Sequence, residues 1–186
     1  MNAIAPTASA VTDRTAELLL SAQTGDGQAF TEIVELHHPE LVRIAYAITG
    51  DLDAARDAAQ SAWIKAWSRL RTVREPERLR VWLVAIAANE ARQNIRAAGR
   101  RRIREVTPAA EGAAARKGDP EAAAARLDLG QALLGLAPGD RQLLAMRYLA
   151  GMSTDEIATA TGRSASGTRT RLSRLVARLR EELGDD

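Results

Sequence analysis

The sequence predicts an all-α protein: two small helical domains joined by a flexible linker, the second carrying a helix-turn-helix. Three observations predict it. Alternating β-branched runs and hairpin dipeptides are missing, so nothing reads as a strand. Apolar residues recur at three- and four-residue steps, as a buried helix face requires. Residues 107–119, TPAAEGAAARKGD, break that periodicity with Ala, Gly and charge, which is a linker composition. Hydrophobic residues make up 46% of the 186, enough for real cores, and aromatics only 3%, so those cores are built from Leu, Ile, Val and Ala.

The elements follow in order. Met1 to Thr12 is small and polar and is expected to be disordered. A helical pattern starts at Asp13 or Arg14 and runs to Thr24, where Gly25, Asp26 and Gly27 interrupt it. Phe30, Ile33, Val34 and Leu36 mark the next helix, which Pro39 is expected to end or kink. Leu41 to Thr49 is a further helical segment closed by Gly50. Asp51 or Asp53 can cap a long helix from Ala54 to Leu70. Arg71 to Glu75 reads as a loop, and Pro76 suits a first helical position. A second long helix spans Glu77 to Ala98, where Gly99 can stop it. After the linker, Asp119 and Pro120 offer a start for a helix from Glu121 to Leu136, and another runs from Asp140 to Ala150. The expected division is an N-terminal extension over 1–25, a helical domain over 26–104, a linker over 105–120 and a second domain over 121–186.

Residues 153–180, STDEIATATGRSASGTRTRLSRLVARLR, carry the strongest functional signal. Ser153 and Glu156 form an S-x-x-E capping box, Gly162 breaks the first helix, and Ser164 can cap a second. Leu172, Leu175, Val176 and Leu179 give that second helix one apolar face. Arg169, Arg171, Arg174, Arg178 and Arg180 occupy the other, with no acid before Glu181. A capped helix, a glycine turn and an arginine-faced helix read as a helix-turn-helix, which makes DNA the leading partner. The bland alternative is an αα-hairpin with a solvated basic face.

Charge and composition narrow the class. The net charge is +2, and only Lys65 and Lys117 are lysines among the basic residues. A GC-rich genome would account for most of that preference for arginine, but not for its clustering. Arg92, Arg96, Arg100, Arg101, Arg102 and Arg104 fall within thirteen residues, more than a helix C-terminus needs. Such a cluster supplies phosphate affinity, and the amides of Asn89, Gln93 and Asn94 can address base edges. The absence of cysteine excludes disulfides and thiolate zinc. No signal peptide or membrane-length apolar run is evident, so a cytoplasmic protein without membrane insertion is expected. His37 and His38 are adjacent, point in different directions on a helix, and read as surface or cap residues. No metal site, cofactor or catalytic residue is expected.

Beyond these readings, the motifs carry a resemblance. The second domain holds L-A-P-G-D-R-Q-L-L, Y-L-A-G-M-S-T-D-E-I-A and T-G-R-S-A-S-G-T-R-T-R-L-S-R-L. The first holds A-R-D-A-A-Q-S-A-W-I-K-A-W and V-W-L-V-A-I-A-A-N. In this order they resemble bacterial RNA polymerase sigma factors of the extracytoplasmic-function (ECF) type, over residues 26–104 and 127–183. Asp57 and Gln60 fall on the family's D-x-x-Q. Trp82, Leu83, Ile86, Ala87 and Asn89 fall on W-L-x-x-I-A-x-N, and Arg96 on the arginine that follows. Glu156, Ile157, Ala158, Gly162, Ser164, Arg171 and Leu172 match the second region. Ser166 and Gly167 stand where a Gly-Thr pair is usual, Thr168 where a valine is usual, and Gln93 where an acid is common.

The resemblance implies a promoter-specificity subunit with no enzymatic activity of its own. Asp57, Gln60 and Ile64 share a helix face, and the resemblance docks that face on the β′ clamp of core RNA polymerase. The β flap of core polymerase is a second expected contact, promoter DNA a third, and an anti-sigma factor a further partner that the family allows. Trp82, Asn89, Arg92, Gln93, Asn94, Arg96 and Arg100 would serve the minus-ten element. Arg163, Ser164, Ser166, Thr168, Arg169, Arg171 and Arg174 would serve the minus-thirty-five element, with Arg163, Arg174 and Arg178 better placed for phosphate. Trp63 and Trp67 read as core. The competing class is a helix-turn-helix regulator of duplex DNA that is no polymerase subunit; such a protein has no need of the first domain's W-L-x-x-I-A-x-N helix. An enzyme with a DNA-binding tail finds no support.

Overall fold

The computed structural model describes the backbone over residues 8–104 and 130–184, and side chains over 14–99 and 130–184. All regular structure among the described residues is helical. The expected linker, most of the helix beginning at Glu121, and the side chains of Arg100, Arg101, Arg102 and Arg104 lie outside the described residues.

Helix α1 (Ala8–Gln23) begins before the position its polarity suggests. Helix α2 (Gly27–Thr49) is capped by Asp26, whose side chain accepts from the backbone N–H of Gln28 and Ala29. It does not end at Pro39 but runs through it as one helix. A proline removes one intrahelical hydrogen bond; burial of Ile33, Leu41, Ile44 and Ile48 along one face outweighs that loss. Gly50 closes α2 at φ +72°, a conformation that suits glycine.

Helix α3 (Leu52–Arg69) is capped by Asp51 rather than Asp53. Its buried face is Ala55, Ala58, Ala59, Ala62 and Ala66, with Trp63. Alanines bring α3 close to its neighbours and leave little side-chain entropy to lose. Two short 3₁₀ turns, Leu70–Thr72 and Pro76–Arg78, lead into α4 (Leu79–Arg104). Gly99 does not stop this helix. A mid-helix glycine costs only about 1 kcal/mol against alanine.

Leu79, Leu83, Val84, Ala87, Ala88 and Ala91 bury the inner face of α4 among α2 and α3. Glu90 is buried on that face, where Lys65 of α3 donates to it at 2.6 Å, so this buried charge is paired. Trp63 is core as expected and its indole N–H donates to His38 Nδ1. Trp67 is half-exposed, covering Phe30 at a ring separation of 4.7 Å. His37, expected at the surface, is partly buried; its Nε2 has no hydrogen-bond partner, and desolvation depresses its pKa.

The second unit begins with a helical stretch over 130–135. Helix α5 (Pro138–Leu144) starts on its proline and passes directly into a π-helical turn, Ala145–Leu149. Helices α6 (Thr154–Thr161) and α7 (Ala165–Leu183) complete the unit. Leu136, Leu143, Met146, Met152, Ile157, Leu172 and Leu175 form its core. The two units touch. Leu134 lies against Gly50 where a side chain on that glycine would collide with it. Arg80, paired with Glu40, donates to the carbonyl of Ala150 at 2.8 Å.

Candidate nucleic-acid interface

The helix-turn-helix forms from local chemistry. Ser153 Oγ accepts from Glu156 N–H at 3.2 Å, and the Glu156 carboxylate accepts from Ser153 N–H at 2.7 Å, completing the capping box. Gly162 ends α6 at φ +66°, in the left-handed region. Ser164 Oγ then accepts from Gly167 N–H at 3.1 Å and caps α7. A Cβ on Gly167 would sit 2.8 Å from that Oγ, so the glycine gives the cap its room.

This geometry decides which side chains of α7 face out. Thr168, Leu172 and Leu175 turn inward, while Arg163, Ser164, Ser166, Arg169, Arg171 and Arg174 are exposed. Thr168 therefore corrects the sequence expectation. It is 0% exposed and its hydroxyl donates to Ser164 O at 2.9 Å, so it packs the helix and presents nothing to a groove. Arg171 is exposed, but its guanidinium donates from Nε to Asp140 Oδ1 at 2.8 Å and from Nη2 to Oδ2. This bidentate pair raises the Arg171 pKa and ties α7 to α5. Arg178 is engaged with Glu182 at 2.7 Å. Among the described residues Arg169 and Arg174 form no ion pair, Ser166 meets only the Ser164 hydroxyl at 3.5 Å, and Arg163 stands close enough to Arg92 to lower its pKa.

On α4, Trp82, Asn89, Arg92 and Asn94 are partly buried, and Gln93 and Arg96 are exposed. Burial holds the Arg92 guanidinium below its ordinary pKa, and the charges of Arg96 and Arg163 act in the same direction. Its Nε is buried without a hydrogen-bond partner. The structure thus gathers Arg92 and Arg96 of the first unit with Arg163 of the second into one positive cluster. Asn89 has a different role here. Its amide N–H donates to Ala160 O at 3.2 Å, and its Oδ1 accepts from Gln142 Nε2 at 2.7 Å. Asn89 therefore joins the two units.

On α3, Asp57, Gln60 and Ile64 are all exposed along one face. Ile64 is 68% exposed, which is unusual for a large apolar residue beside a core this well filled. Sequence reasoning missed Asp140 and Gln142 as partners. Asp140 gave a signal, a carboxylate in the first turn after Pro138-Gly139, but nothing in the sequence pointed it at Arg171. Among the described residues no group of His, Cys, Asp and Glu is arranged to hold a metal, and no helix is long and apolar enough to cross a membrane.

Comparison with known proteins covers both units. Residues 33–101 match the family described as Sigma-70 region 2, and residues 126–179 match Sigma-70, region 4. A probable RNA polymerase sigma factor of Xanthomonas campestris pv. campestris is 33% identical over 170 residues, covering 87% of this chain; the match spans 42% of that relative's length. The ECF RNA polymerase sigma factor SigL of Mycobacterium tuberculosis is 30% identical over 175 residues, covering 88% of this chain and 95% of SigL. Among solved structures, the sigma factor RpoE of Bartonella quintana, in complex with the anti-sigma factor NepR, superposes with a TM-score of 0.66 at 25% identity. The superposition covers 84% of this chain and 98% of that one.

Proposed function

The chain belongs to the ECF-type RNA polymerase sigma factors, the promoter-recognition subunits, and from that premise we propose how its residues divide the work. It binds core RNA polymerase and brings it to promoter DNA as a binding subunit, not a catalyst. The observation that carries this reading is the pair of sigma regions on one chain, the second folded as a fully capped helix-turn-helix with a basic outer face.

Asp57, Gln60 and Ile64 meet the β′ clamp. Two polar groups beside an exposed apolar one suit a helix-to-helix contact, giving specificity and buried area together. Trp82, Asn89, Arg92, Gln93, Asn94, Arg96 and Arg100 serve the minus-ten element, the arginines by phosphate affinity and the amides by base contacts. Asn89 does so only after leaving Gln142 and Ala160, so promoter capture requires the two units to separate. Ser164, Ser166 and Arg169 read the minus-thirty-five element, and Arg163 and Arg174 bind its phosphates. Arg171 positions α7 through Asp140. The β flap and an anti-sigma factor are the further protein partners, the latter a class seen on the Bartonella relative. The site of action is the cytoplasm, with the polymerase.

Run-off transcription with purified core polymerase on a genomic promoter pool tests this. The expected result is a defined set of transcripts that depends on the added chain. Duplex DNA binding without any transcript would favour the helix-turn-helix regulator.

A further inference from the structure

Three arginines meet where the two units touch. Asn89 fixes the place, its amide N–H reaching Ala160 O at 3.2 Å. Arg92 and Arg96 follow Asn89 on α4 at the steps that keep residues on one helix face. Arg163 follows Ala160 across the Gly162 turn, its backbone N–H held on Ala158 O at 2.9 Å. Arg96 and Arg163 are exposed, and Arg92 is half-buried with its Nε unpartnered. Among the described residues none of the three forms an ion pair. The acids nearest in sequence are engaged elsewhere. Glu90 holds Lys65, and Glu156 closes the capping box at the far end of α6. After burial, the charges of Arg96 and Arg163 push the Arg92 pKa down, as like charges brought together do.

We propose that this seam binds one small multivalent phosphate anion, a di- or triphosphate group, and that the bound anion staples the two units together. Closure assembles the site, because Arg92 and Arg96 come from one unit and Arg163 from the other. Closure also brings three positive charges together, and a multivalent anion turns that repulsion into attraction. A ligand whose site exists only in the closed form shifts the chain toward that form. The guanidinium groups select the chemistry, since their forked donors match phosphate oxygens in pairs. The seam selects a small anion over a nucleic acid. In the closed form Asn89, the amide expected at base edges, is taken by Gln142 and Ala160. The regulatory consequence rests on the reading of this chain as a sigma factor: if promoter capture needs the units apart, the anion holds the chain in reserve.

The test uses the full chain carrying Thr31→Cys and Glu181→Cys, labelled for single-molecule energy transfer. Sodium tripolyphosphate is added and compared with sodium chloride at equal ionic strength. Tripolyphosphate should raise the ratio of closed to open units about tenfold beyond sodium chloride, within the usual range of coupling between sites. Arg163→Gln should act in two opposite directions. Without the anion it should enrich the closed form, because repulsion is relieved; with the anion it should gain less than about twofold. Arg96→Gln, on the other unit, should give the same pair of effects, and Arg174→Gln, outside the seam, should respond as the parent does. ATP acting as tripolyphosphate does supports the proposal with the phosphate chain alone as ligand, and ATP acting more strongly supports it with a nucleotide as the source. No closure beyond that in sodium chloride overturns it. So does a response undiminished in Arg163→Gln and Arg96→Gln, or a closed form that Arg163→Gln weakens in the absence of anion. Closure by a single-stranded oligonucleotide at lower phosphate concentration than tripolyphosphate would assign the seam to nucleic acid and also overturn it. No polymerase is present, so failure here is separable from failure of the sigma-factor reading, which the transcription assay decides.

Discussion

Replacing Gln142 with methionine should loosen the two units without unfolding either. Gln142 is 2% exposed, so methionine, unbranched and similar in length, keeps the volume filled and removes only the hydrogen bond to Asn89. Asn89 Oδ1 then loses its partner while the units stay together. A buried acceptor left unsatisfied costs about 1–3 kcal/mol. Asn89 is only partly buried, so the lower end applies. About 1–1.4 kcal/mol shifts the ratio of joined to separated units roughly five- to tenfold toward separation. The chain has no cysteine, so a pair introduced as Thr31→Cys and Glu181→Cys can be labelled cleanly. Single-molecule energy transfer between exposed α2 and exposed α7 then reads the two populations directly. Gln142→Met should enrich the low-transfer population, and the minus-ten oligonucleotide should bind its core-polymerase complex no more weakly than the parent's. An unchanged transfer distribution would refute the claim that Asn89 and Gln142 hold the units together.

Further outcomes follow from the same geometry. Asp57→Ala with Gln60→Ala should reduce co-purification with core polymerase while leaving helicity unchanged, because both side chains face solvent; undiminished co-purification would remove this face from the polymerase interface. Arg171→Ala should destabilise the chain by about 2 kcal/mol in urea, and Asp140→Asn by only about 1. The first leaves a carboxylate with a 10% exposed side chain unpaired, while the second releases an arginine whose side chain is already 47% exposed. Arg174→Ala should weaken binding evenly across promoters and flatten the salt dependence by about one counterion. Arg169→Ala should instead change the preferred minus-thirty-five sequence, by about 1–3 kcal/mol at one base pair; selection of binding sites separates the two.

The parts of this molecule legible in its sequence are those held by short-range chemistry. The capping box of Ser153 and Glu156, the Ser164 cap and the Gly162 turn involve residues within a few positions of each other, and the structure places them as read. The same is true of the Asp51 cap on α3, one of two candidates. What the sequence misplaced was decided by packing. Pro39 and Gly99 are breakers by propensity, but α2 and α4 carry on through them, α2 with buried residues on both sides of Pro39. Thr168 is grouped with the minus-thirty-five side chains by its place near the start of α7, yet it is fully buried and its hydroxyl donates to the Ser164 carbonyl. Trp67 reads as core and is half-exposed over Phe30. The link between Asn89 and Gln142 spans 53 positions, and no local pattern announces such a pair.

Promoter opening separates a sigma factor from a regulator that binds only duplex DNA. The complex of this chain with core polymerase is formed on a promoter taken from the transcribed pool, and unpaired thymines are mapped with permanganate. The sigma-factor account predicts reactive thymines from the minus-ten element to the start site, a preference for the non-template minus-ten strand, and loss of that preference in Asn89→Ala, Gln93→Ala, Asn94→Ala combined, with total affinity largely kept by the arginines. A complex that binds the promoter tightly and leaves every thymine paired would contradict it.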